Sequence, residues 1–130
     1  MEQIGIGIVG CGYWGTNYVR VFHELPQAQV VQVCDLQTDR LQMIQTYYPS
    51  VWTTQNFHEV LANPDIDAVV VATPASAHYI VVKECLLADK HVLAEKPLAL
   101  TLEDGEHLVA LSHERGRVLM VGHTFLYNAG

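Results

Sequence analysis

A glycine-rich turn between an apolar run and an amphipathic stretch places the strongest limit on how this chain of 130 residues folds. Ile4–Val9 is rich in β-branched residues and predicts a buried strand that stops at Gly10, while Tyr13–Leu25 has helical spacing and ends before Pro26. The turn reads Gly10-Cys11-Gly12-Tyr13-Trp14-Gly15, a G-x-G-x-x-G pattern. In this pattern the first glycine permits a tight turn, the second lets a pyrophosphate approach the backbone, and the third lets the helix lie close on its strand. The free N–H groups and the dipole of the helix then favour bound phosphates.

The rest of the chain alternates between short apolar runs and helical patterns. Further strands are predicted at Val30–Cys34, Val51–Thr53, Ala68–Ala72, His91–Ala94 and Val118–Val121. Helices are predicted at Asp39–Tyr48 and at Ser76–Ala88. Another helix is predicted to start at an Asn56 cap, with Glu59 as the partner of the cap, and to end at Asn63-Pro64. The last helix is predicted to run from a Thr101 cap to Arg115, before Gly116. Strands that are apolar at every position are typical of parallel sheets covered on both faces. The pattern predicts one α/β domain, a doubly wound parallel sheet of Rossmann type with six strands and helices on both faces.

Composition and charge exclude several classes of function. The net charge is −7, from 14 acidic and 7 basic residues, so the chain lacks the basic stripe that nucleic acid or an anionic membrane requires. No apolar run is long enough to cross a bilayer, and the amino terminus lacks the basic region of a secretory signal. Cys11, Cys34 and Cys85 have no paired spacing and are expected to be reduced thiols of a cytoplasmic protein. The seven histidines have no metal-ligand spacing, and we predict no metal site.

An acidic residue closes the second predicted strand. Asp35 lies 20 residues after Gly15, where a carboxylate accepts hydrogen bonds from both adenosine-ribose hydroxyls and repels the 2′-phosphate of NADP. The sequence therefore favours NAD over NADP, with an ordinary solvated aspartate as the alternative interpretation. Arg40 weakens this preference slightly because a nearby guanidinium accommodates a phosphate, although we expect Arg40 to flank the adenine or to face water.

Polar residues also follow the fourth predicted strand. Pro74 holds Thr73 extended, so that the backbone and hydroxyl of Thr73 face a ligand across the strand ends. His78 falls in the first turn of the following helix, near the expected crevice. Packing of His78 on the helix beside Tyr79 is an equal alternative.

Two opposite charges follow the fifth predicted strand in the triplet Glu95-Lys96-Pro97. Successive side chains of an extended segment point in opposite directions, so Glu95 and Lys96 are expected to contact different groups. Pro97 keeps Lys96 out of the α region and its ammonium in a fixed place. A partly desolvated lysine beside a nicotinamide suits proton exchange with an alcohol. The alternative is a salt-bridging pair at the surface.

Residues close to the glycine turn have simpler interpretations. Cys11 is expected to be a small residue that fits under a pyrophosphate rather than a redox sensor. Trp14 lies in the motif, and its side chain and that of Tyr18 are expected to pack the helix rather than to stack on a base.

These motifs together resemble the Gfo/Idh/MocA family, which is named for glucose–fructose oxidoreductase and inositol dehydrogenase. The resemblance rests on GCGYWG, Asp35, ATPASAH and AEKPLAL, and it covers only the amino-terminal half of the family. It implies that Lys96 is catalytic, that Glu95 reaches the nicotinamide ribose, that the Thr73-Pro74 segment lines the cofactor crevice, and that the Lys96–Pro97 bond is cis. The segment VGHTF, residues 121–125, is similar to the edge of the sixth strand and implies that His123 lies near the nicotinamide.

The resemblance also implies a function and a domain plan. Residues 1–124 are expected to form an NAD(P)-binding domain, and residues 125–130 to begin the connection to a C-terminal substrate domain that this chain lacks. The implied activity is that of an NAD-dependent dehydrogenase that transfers hydride between nicotinamide and a carbinol carbon of a sugar, sugar nucleotide or cyclitol. The resemblance also implies a homo-oligomer. Lys96 is the implied proton donor or acceptor. A stand-alone NAD-binding sensor or assembly module is the alternative, and the placed lysine counts against it.

Overall fold

Strands and helices alternate strictly through residues 2–122, the part of the chain that the computed structural model describes, with the side chain of Tyr13 excepted. The strands are β1 (Ile4–Val9), β2 (Ala28–Cys34), β3 (Trp52–Thr54), β4 (Ala68–Val71), β5 (His91–Glu95) and β6 (Leu119–Gly122). The helices are α1 (Tyr13–Glu24), α2 (Thr38–Tyr47), α3 (Phe57–Ala62), α4 (Ala75–Leu87) and α5 (Leu102–Arg115). Each helix returns the chain to the edge of the sheet from which the next parallel strand starts.

All neighbouring strands are parallel, and their order in the sheet is β3-β2-β1-β4-β5-β6. The chain starts in the middle of the sheet, moves outwards to β3, crosses back to β4 and then moves outwards again. The order reverses between β1 and β4, which makes this pair the topological switch point where ligands bind in such sheets. The predicted doubly wound sheet of six parallel strands is confirmed.

Two apolar clusters cover the two faces of the sheet. One cluster joins Val69 and Val71 of β4 to residues of α3, α4 and α5. The other joins Val70 to residues of α1 and α2. Successive residues of a strand point to opposite faces, so this single strand supplies both clusters, and all three valines are buried. Helices therefore cover both faces, as predicted, and the carboxyl edge of the sheet remains for polar residues.

Most differences from the predicted boundaries amount to one or two residues and follow from pairing. β2 begins at Ala28 rather than at Val30, because Ala28 pairs with Ile4 of β1. β3 covers Trp52–Thr54 rather than Val51–Thr53, because Trp52 pairs with Gln32 of β2. Pairing with a neighbour, not local composition, sets where these strands start.

The helix caps are partly as predicted. Asn56 caps α3 by accepting a hydrogen bond from the His58 amide, but Glu59 does not complete the predicted pair with Asn56. The Glu59 carboxylate instead accepts from the Thr54 hydroxyl at 2.9 Å. Thr101 caps α5 through the Asp104 amide, and Gly116 ends that helix in the left-handed conformation at φ 63°.

None of the helices in residues 2–122 has the length and apolarity that crossing a membrane requires.

Candidate functional site

The glycine turn brings the end of β1 and the start of α1 into direct contact with the end of β4. Gly10 has φ +93°, and a Cβ there would lie 2.7 Å from the carbonyl oxygen of Ala72. A Cβ at Gly15 would lie 1.8 Å from the carbonyl oxygen of Gly10. Only glycine permits approaches this close. The start of α1 therefore rests on the backbone at the switch point of the sheet.

The amino terminus of α1 carries no compensating negative charge of its own. Gly12 is the N-cap, no side chain caps the helix in the described part of the chain, and the first turn contains no acidic residue. A helix start of this kind leaves N–H donors and the positive end of the helix dipole available to an anion. This arrangement suits the phosphates of a dinucleotide.

Asp35 joins the end of β2 to the glycine turn. Its Oδ2 accepts a hydrogen bond from the Cys11 amide and its Oδ1 accepts one from the Gln37 amide, both at 2.8 Å. Burial raises the pKa of Asp35, but these amide hydrogen bonds and the nearby Arg40 guanidinium outweigh burial and lower the pKa below its usual value. Asp35 is therefore a fixed carboxylate beside the turn.

Arg40 approaches the same turn from α2. Its Nη1 lies 3.9 Å from Oδ2 of Asp35, and a Cβ on Gly12 would lie 3.3 Å from that nitrogen. The guanidinium is thus directed at the glycine turn and at Asp35, not simply at water as one of the sequence expectations had it. It places a positive charge next to the expected phosphate site.

Cys11 is buried beneath the turn and does not line the cavity. Burial, followed by the nearby Asp35 carboxylate, raises the pKa of its thiol to about 12. A thiol with a pKa this high is protonated at neutral pH and therefore unreactive. The burial of Cys11 and the high pKa of its thiol argue against the redox-sensor alternative.

The segment after β4 contributes one hydroxyl and one imidazole. The Thr73 hydroxyl oxygen is buried and has no hydrogen-bond partner among residues 2–122. His78 is buried in the first turn of α4, with Nδ1 2.6 Å from the carbonyl oxygen of Pro97 and Nε2 2.8 Å from that of Thr73. The ring borders the crevice, as one of the two interpretations had it, but both nitrogens face backbone carbonyls.

The two charges lie at the end of β5, where Glu95 is the last residue of the strand and Lys96 follows it. The Tyr18 hydroxyl of α1 donates a hydrogen bond to Oε1 of Glu95. The Lys96 side chain is exposed, which differs from the partial desolvation expected from the sequence. The Lys96–Pro97 peptide bond is cis, as the resemblance implied. Tyr18 is thus more than the helix-packing residue that the sequence suggested.

One cavity of about 910 Å³ brings most of these residues together. The predicted site residues that line it are Gly10, Gly12, Trp14, Asp35, Arg40, Thr73, Pro74, His78, Glu95 and Lys96. Of the remaining predictions, Cys11 and Gly15 are buried behind this lining, Pro97 is exposed next to Lys96, Tyr13 begins α1, and His123 lies outside the described residues. Among residues 2–122 no group of three or more His, Cys, Asp or Glu is placed to hold a metal ion.

The sequence reasoning missed several residues of the cavity wall. Leu36 and Gln37 follow directly after Asp35, Gln55 follows β3, and Phe57 begins α3. Their position just beyond the carboxyl ends of strands was the available signal, because that edge binds ligands in parallel sheets. For Tyr18, in the middle of a helix, the sequence held no such signal.

A dinucleotide fits this site on three observations. The glycine turn leaves room for a phosphate where a Cβ would fill it. The Thr73 hydroxyl is buried without a partner in residues 2–122 at the wall of the cavity. The volume of about 910 Å³ is within the usual range for cofactor sites.

The parallel sheet, the glycine turn and the acid at the end of β2 define a dinucleotide-binding domain of Rossmann type. Residues 4–123 match the family model GFO_IDH_MocA, described as "Oxidoreductase family, NAD-binding Rossmann fold". The chain therefore belongs to the Gfo/Idh/MocA family of oxidoreductases and is an NAD(P)-binding domain of it. The resemblance stated from the sequence motifs is confirmed.

Individual relatives bind either form of the cofactor. The chain is 33% identical over 125 residues to "scyllo-inositol 2-dehydrogenase (NADP(+)) IolW" of Bacillus subtilis (strain 168), covering 95% of this chain and 34% of that protein. GenD2 from gentamicin A biosynthesis, solved in complex with NAD, is 33% identical with a TM-score of 0.93 over 98% of this chain and 36% of its own. KijD10, a 3-ketoreductase from Actinomadura kijaniata solved with NADP and TDP-benzene, is 30% identical with a TM-score of 0.89. The match covers 96% of this chain and 38% of KijD10. This chain spans about a third of the length of the relatives it matches.

Proposed function

We propose that this chain binds NAD and supplies the acid–base lysine of a dehydrogenase that acts on a carbinol carbon of a sugar, sugar nucleotide or cyclitol. One observation carries the proposal. The glycine turn, the Asp35 carboxylate and the Lys96 side chain line the same cavity at the switch point of the sheet. This arrangement puts an anion site, a ribose acceptor and a proton donor within reach of one extended ligand.

Asp35, the glycine turn and Thr73 would hold the dinucleotide. The amides at the start of α1 suit the pyrophosphate, and the Asp35 carboxylate, ionised at neutral pH, suits the adenosine ribose. The same carboxylate disfavours a 2′-phosphate by charge repulsion, which supports NAD over NADP. Arg40 opposes this preference because its guanidinium lies close enough to Asp35 to offset part of the negative charge.

The nicotinamide of a bound dinucleotide supplies the hydride acceptor in oxidation and the hydride donor in reduction. Lys96 takes the proton of the substrate hydroxyl as its neutral amine, or returns that proton as its ammonium when the carbonyl is reduced. Glu95, held by the Tyr18 hydroxyl, is placed to accept a hydrogen bond from the nicotinamide ribose. The substrate class follows from relatives with the names scyllo-inositol 2-dehydrogenase and 3-ketoreductase.

The same proposal extends to the whole protein. Residues 1–124 form the cofactor domain, residues 125–130 begin the connection onward, and further residues complete the substrate pocket. A homo-oligomer in the cytoplasm agrees with the family and with the three buried free thiols.

Calorimetric titration of the chain with NAD and with NADP tests the cofactor. We expect NAD to bind more tightly, and the Asp35→Asn variant to lose that preference. No binding of either dinucleotide, or a clear preference for NADP in the unaltered chain, would overturn the cofactor assignment.

A Lys96→Met substitution tests the catalytic role in the whole protein. We expect turnover of a cyclitol or sugar to fall by about 10²–10⁴-fold. NAD affinity should stay within about twofold of the unaltered protein, because the lysine acts on the substrate proton. Unchanged turnover would instead favour the alternative, an NAD-binding sensor that needs no acid–base group.

A further inference from the structure

His78 connects the two strand-end segments that border the cavity. Its ring lies on α4, between the segment after β4 and the segment after β5. Nε2 faces the carbonyl oxygen of Thr73 at 2.8 Å, and Nδ1 faces that of Pro97 at 2.6 Å. Thr73 belongs to the loop just before α4, whereas Pro97 lies 19 residues further along the chain than His78. The longer-range contact therefore ties two separate crossover connections together.

Burial fixes the ring in this position. His78 is 1% exposed, a value that places it among the apolar residues of the core. A polar side chain this deeply buried is stabilised only when its ring nitrogens have partners. The two carbonyl oxygens are the groups within hydrogen-bond distance of those nitrogens, so the orientation of the ring and the positions of the loops depend on each other.

The Pro97 carbonyl is the part of this contact closest to the proposed chemistry. Lys96 immediately precedes Pro97, and its own neighbour Glu95 is held on the other side by the Tyr18 hydroxyl. Anchoring of the Pro97 carbonyl therefore restrains the backbone that follows Lys96. A side chain keeps its place in a site only if the backbone that bears it is fixed.

The number of protons on the His78 ring determines how many of its two contacts are hydrogen bonds. Both acceptors are carbonyl oxygens, and a singly protonated imidazole has one N–H to donate. Both contacts are hydrogen bonds only in the doubly protonated ring, and in either singly protonated form the ring serves one carbonyl. The Pro97 contact is the shorter of the two.

We propose that the Nδ1–H group of His78 donates to the Pro97 carbonyl and thereby positions Lys96 in the cavity. His78 is then a positioning residue for the proposed acid–base lysine, not a group that touches the cofactor. This inference rests on the function proposed above for Lys96. Of the two contacts, only the one to Pro97 reaches the segment that bears Lys96, because Thr73 lies in the loop that precedes α4.

The first experiment uses the unaltered chain. Long-range proton–nitrogen NMR of a ¹⁵N-labelled sample distinguishes a ring nitrogen that carries a proton from one that carries a lone pair. The His78 signals are assigned from the spectrum of the His78→Gln variant. We expect Nδ1 to carry a proton at neutral pH, and an unprotonated Nδ1 would overturn the proposal.

The second experiment separates the two contacts. An asparagine amide occupies about the place of Nδ1, so His78→Asn keeps the Pro97 contact. A glutamine amide occupies about the place of Nε2, so His78→Gln keeps the Thr73 contact. The chain has three lysines, Lys83, Lys90 and Lys96, whose ¹³C-methylated amines give three signals assigned by Lys→Arg variants. We expect the Lys96 signal to move in His78→Gln and to stay in place in His78→Asn. Lys83, on the same helix as His78, is the internal control.

Turnover of the whole protein should follow the same pattern. Displacement of Lys96 predicts turnover lowered about tenfold to a hundredfold in His78→Gln, with little change in His78→Asn and with NAD affinity within about twofold of the unaltered protein in both variants. A folded His78→Gln chain with an unmoved Lys96 signal, or equal changes in both variants, would show that His78 only fills space.

The lysine and imidazole signals are recorded without NAD. A chain that fails to bind NAD would therefore overturn the proposed cofactor while leaving the His78 measurement intact. A displaced Lys96 signal with unimpaired turnover in the whole protein would overturn the role of His78 in positioning for the reaction.

Discussion

At the scale of single residues, Asp35 stabilises the glycine turn in addition to its proposed contact with a ligand. Its two oxygens accept hydrogen bonds from the amides of Cys11 and Gln37, which fixes the glycine turn against β2. Because the turn depends on the ionised form, protonation of Asp35 should cost stability. The same residue therefore links the pH dependence of the fold to the geometry of the phosphate site.

The pH dependence of unfolding gives the first prediction. The folded pKa of Asp35 lies below its unfolded value of about 3.9. The carboxylate therefore contributes stability that is complete well above the unfolded pKa and is lost as the pH falls through the folded pKa. Urea unfolding from pH 7 down to pH 3 should show the unaltered chain losing more stability than Asp35→Asn. Asp39→Asn, on the exposed first turn of α2, is the control and should follow the unaltered chain. Equal slopes for all three chains would contradict the prediction.

A second prediction concerns the Tyr18–Glu95 hydrogen bond. Removal of the donor in Tyr18→Phe leaves the Glu95 carboxylate to reorient away from the ribose position. A hydrogen bond to a charged group is worth about 1.5–3 kcal/mol, of which the site recovers part through water, so NAD affinity should fall about tenfold. Tyr47→Phe is the matched control because Tyr47 is 72% exposed on α2. Calorimetry that gives both variants the affinity of the unaltered chain would exclude a positioning role for Tyr18.

The contact between Tyr18 and Glu95 could not be predicted from the sequence. The tip of a strand is recognisable because Asp35 and Glu95 follow apolar runs directly. Tyr18 is 77 positions away from Glu95, and its place in the middle of a helix is equally well explained by packing. Which helix side chain reaches a strand tip depends on how α1 lies across the sheet, and the sequence pattern does not contain that angle.

At the scale of elements, the packing of α1 on β1 depends on the absence of one methyl group. A Cβ at Gly15 would lie 1.8 Å from the Gly10 carbonyl oxygen, and the backbone of Gly10 is held by the hydrogen bond from its amide to the Cys34 carbonyl. Gly15→Ala should therefore destabilise the chain by about 3 kcal/mol, the scale of strong overpacking. It should also weaken NAD binding, because the helix start moves away from the turn.

Gly105 provides the control for this substitution. It also lies within a helix, α5, but nothing lies within 4 Å of a Cβ placed there. Gly105→Ala should stabilise the chain by about 0.5–1 kcal/mol, because alanine has less conformational freedom to lose on folding. Thermal unfolding that gives the two substitutions the same sign would contradict the packing argument.

Element order was predictable and element boundaries were not. Apolar runs separated by Gly, Pro and Asp gave every strand and helix of residues 2–122, because burial on both faces leaves a clear pattern. The first two residues of β2 were missed because Ala28 and Gln29 have little strand preference of their own. They are extended because Ile4 and Gly5 of β1 pair with them.

At the scale of the whole molecule, the topology turns scattered motifs into one site. The strand order places β2, β1, β4 and β5 side by side, so the segments after these strands line a single edge. Right-handed crossovers in parallel sheets made this order one of few possibilities. The shared edge was therefore predictable from the sequence, whereas the burial of His78 between two loops and the exposure of Lys96 were set by side-chain packing.

Ligand binding at this shared edge should stabilise the entire fold, which gives the last prediction. A dinucleotide bound as proposed would contact several connections at once, so it would bind the folded chain and not the unfolded one. A concentration of about 100 times the dissociation constant then adds about 2.7 kcal/mol to the free energy of unfolding. For a chain of 130 residues this is a rise in Tm of about 10 °C. At the same concentration NADP should raise the Tm less, since in the proposed binding mode the Asp35 carboxylate would repel its additional phosphate.

Two variants separate a site-specific effect from a general one. In Asp35→Asn the difference between the two dinucleotides should disappear, while in Asp39→Asn it should persist, because only the first carboxylate contacts the glycine turn. Scanning calorimetry measures both. Equal stabilisation by NAD and NADP in the unaltered chain would mean that Arg40, 3.9 Å from Asp35, neutralises the carboxylate strongly enough to remove the preference for NAD.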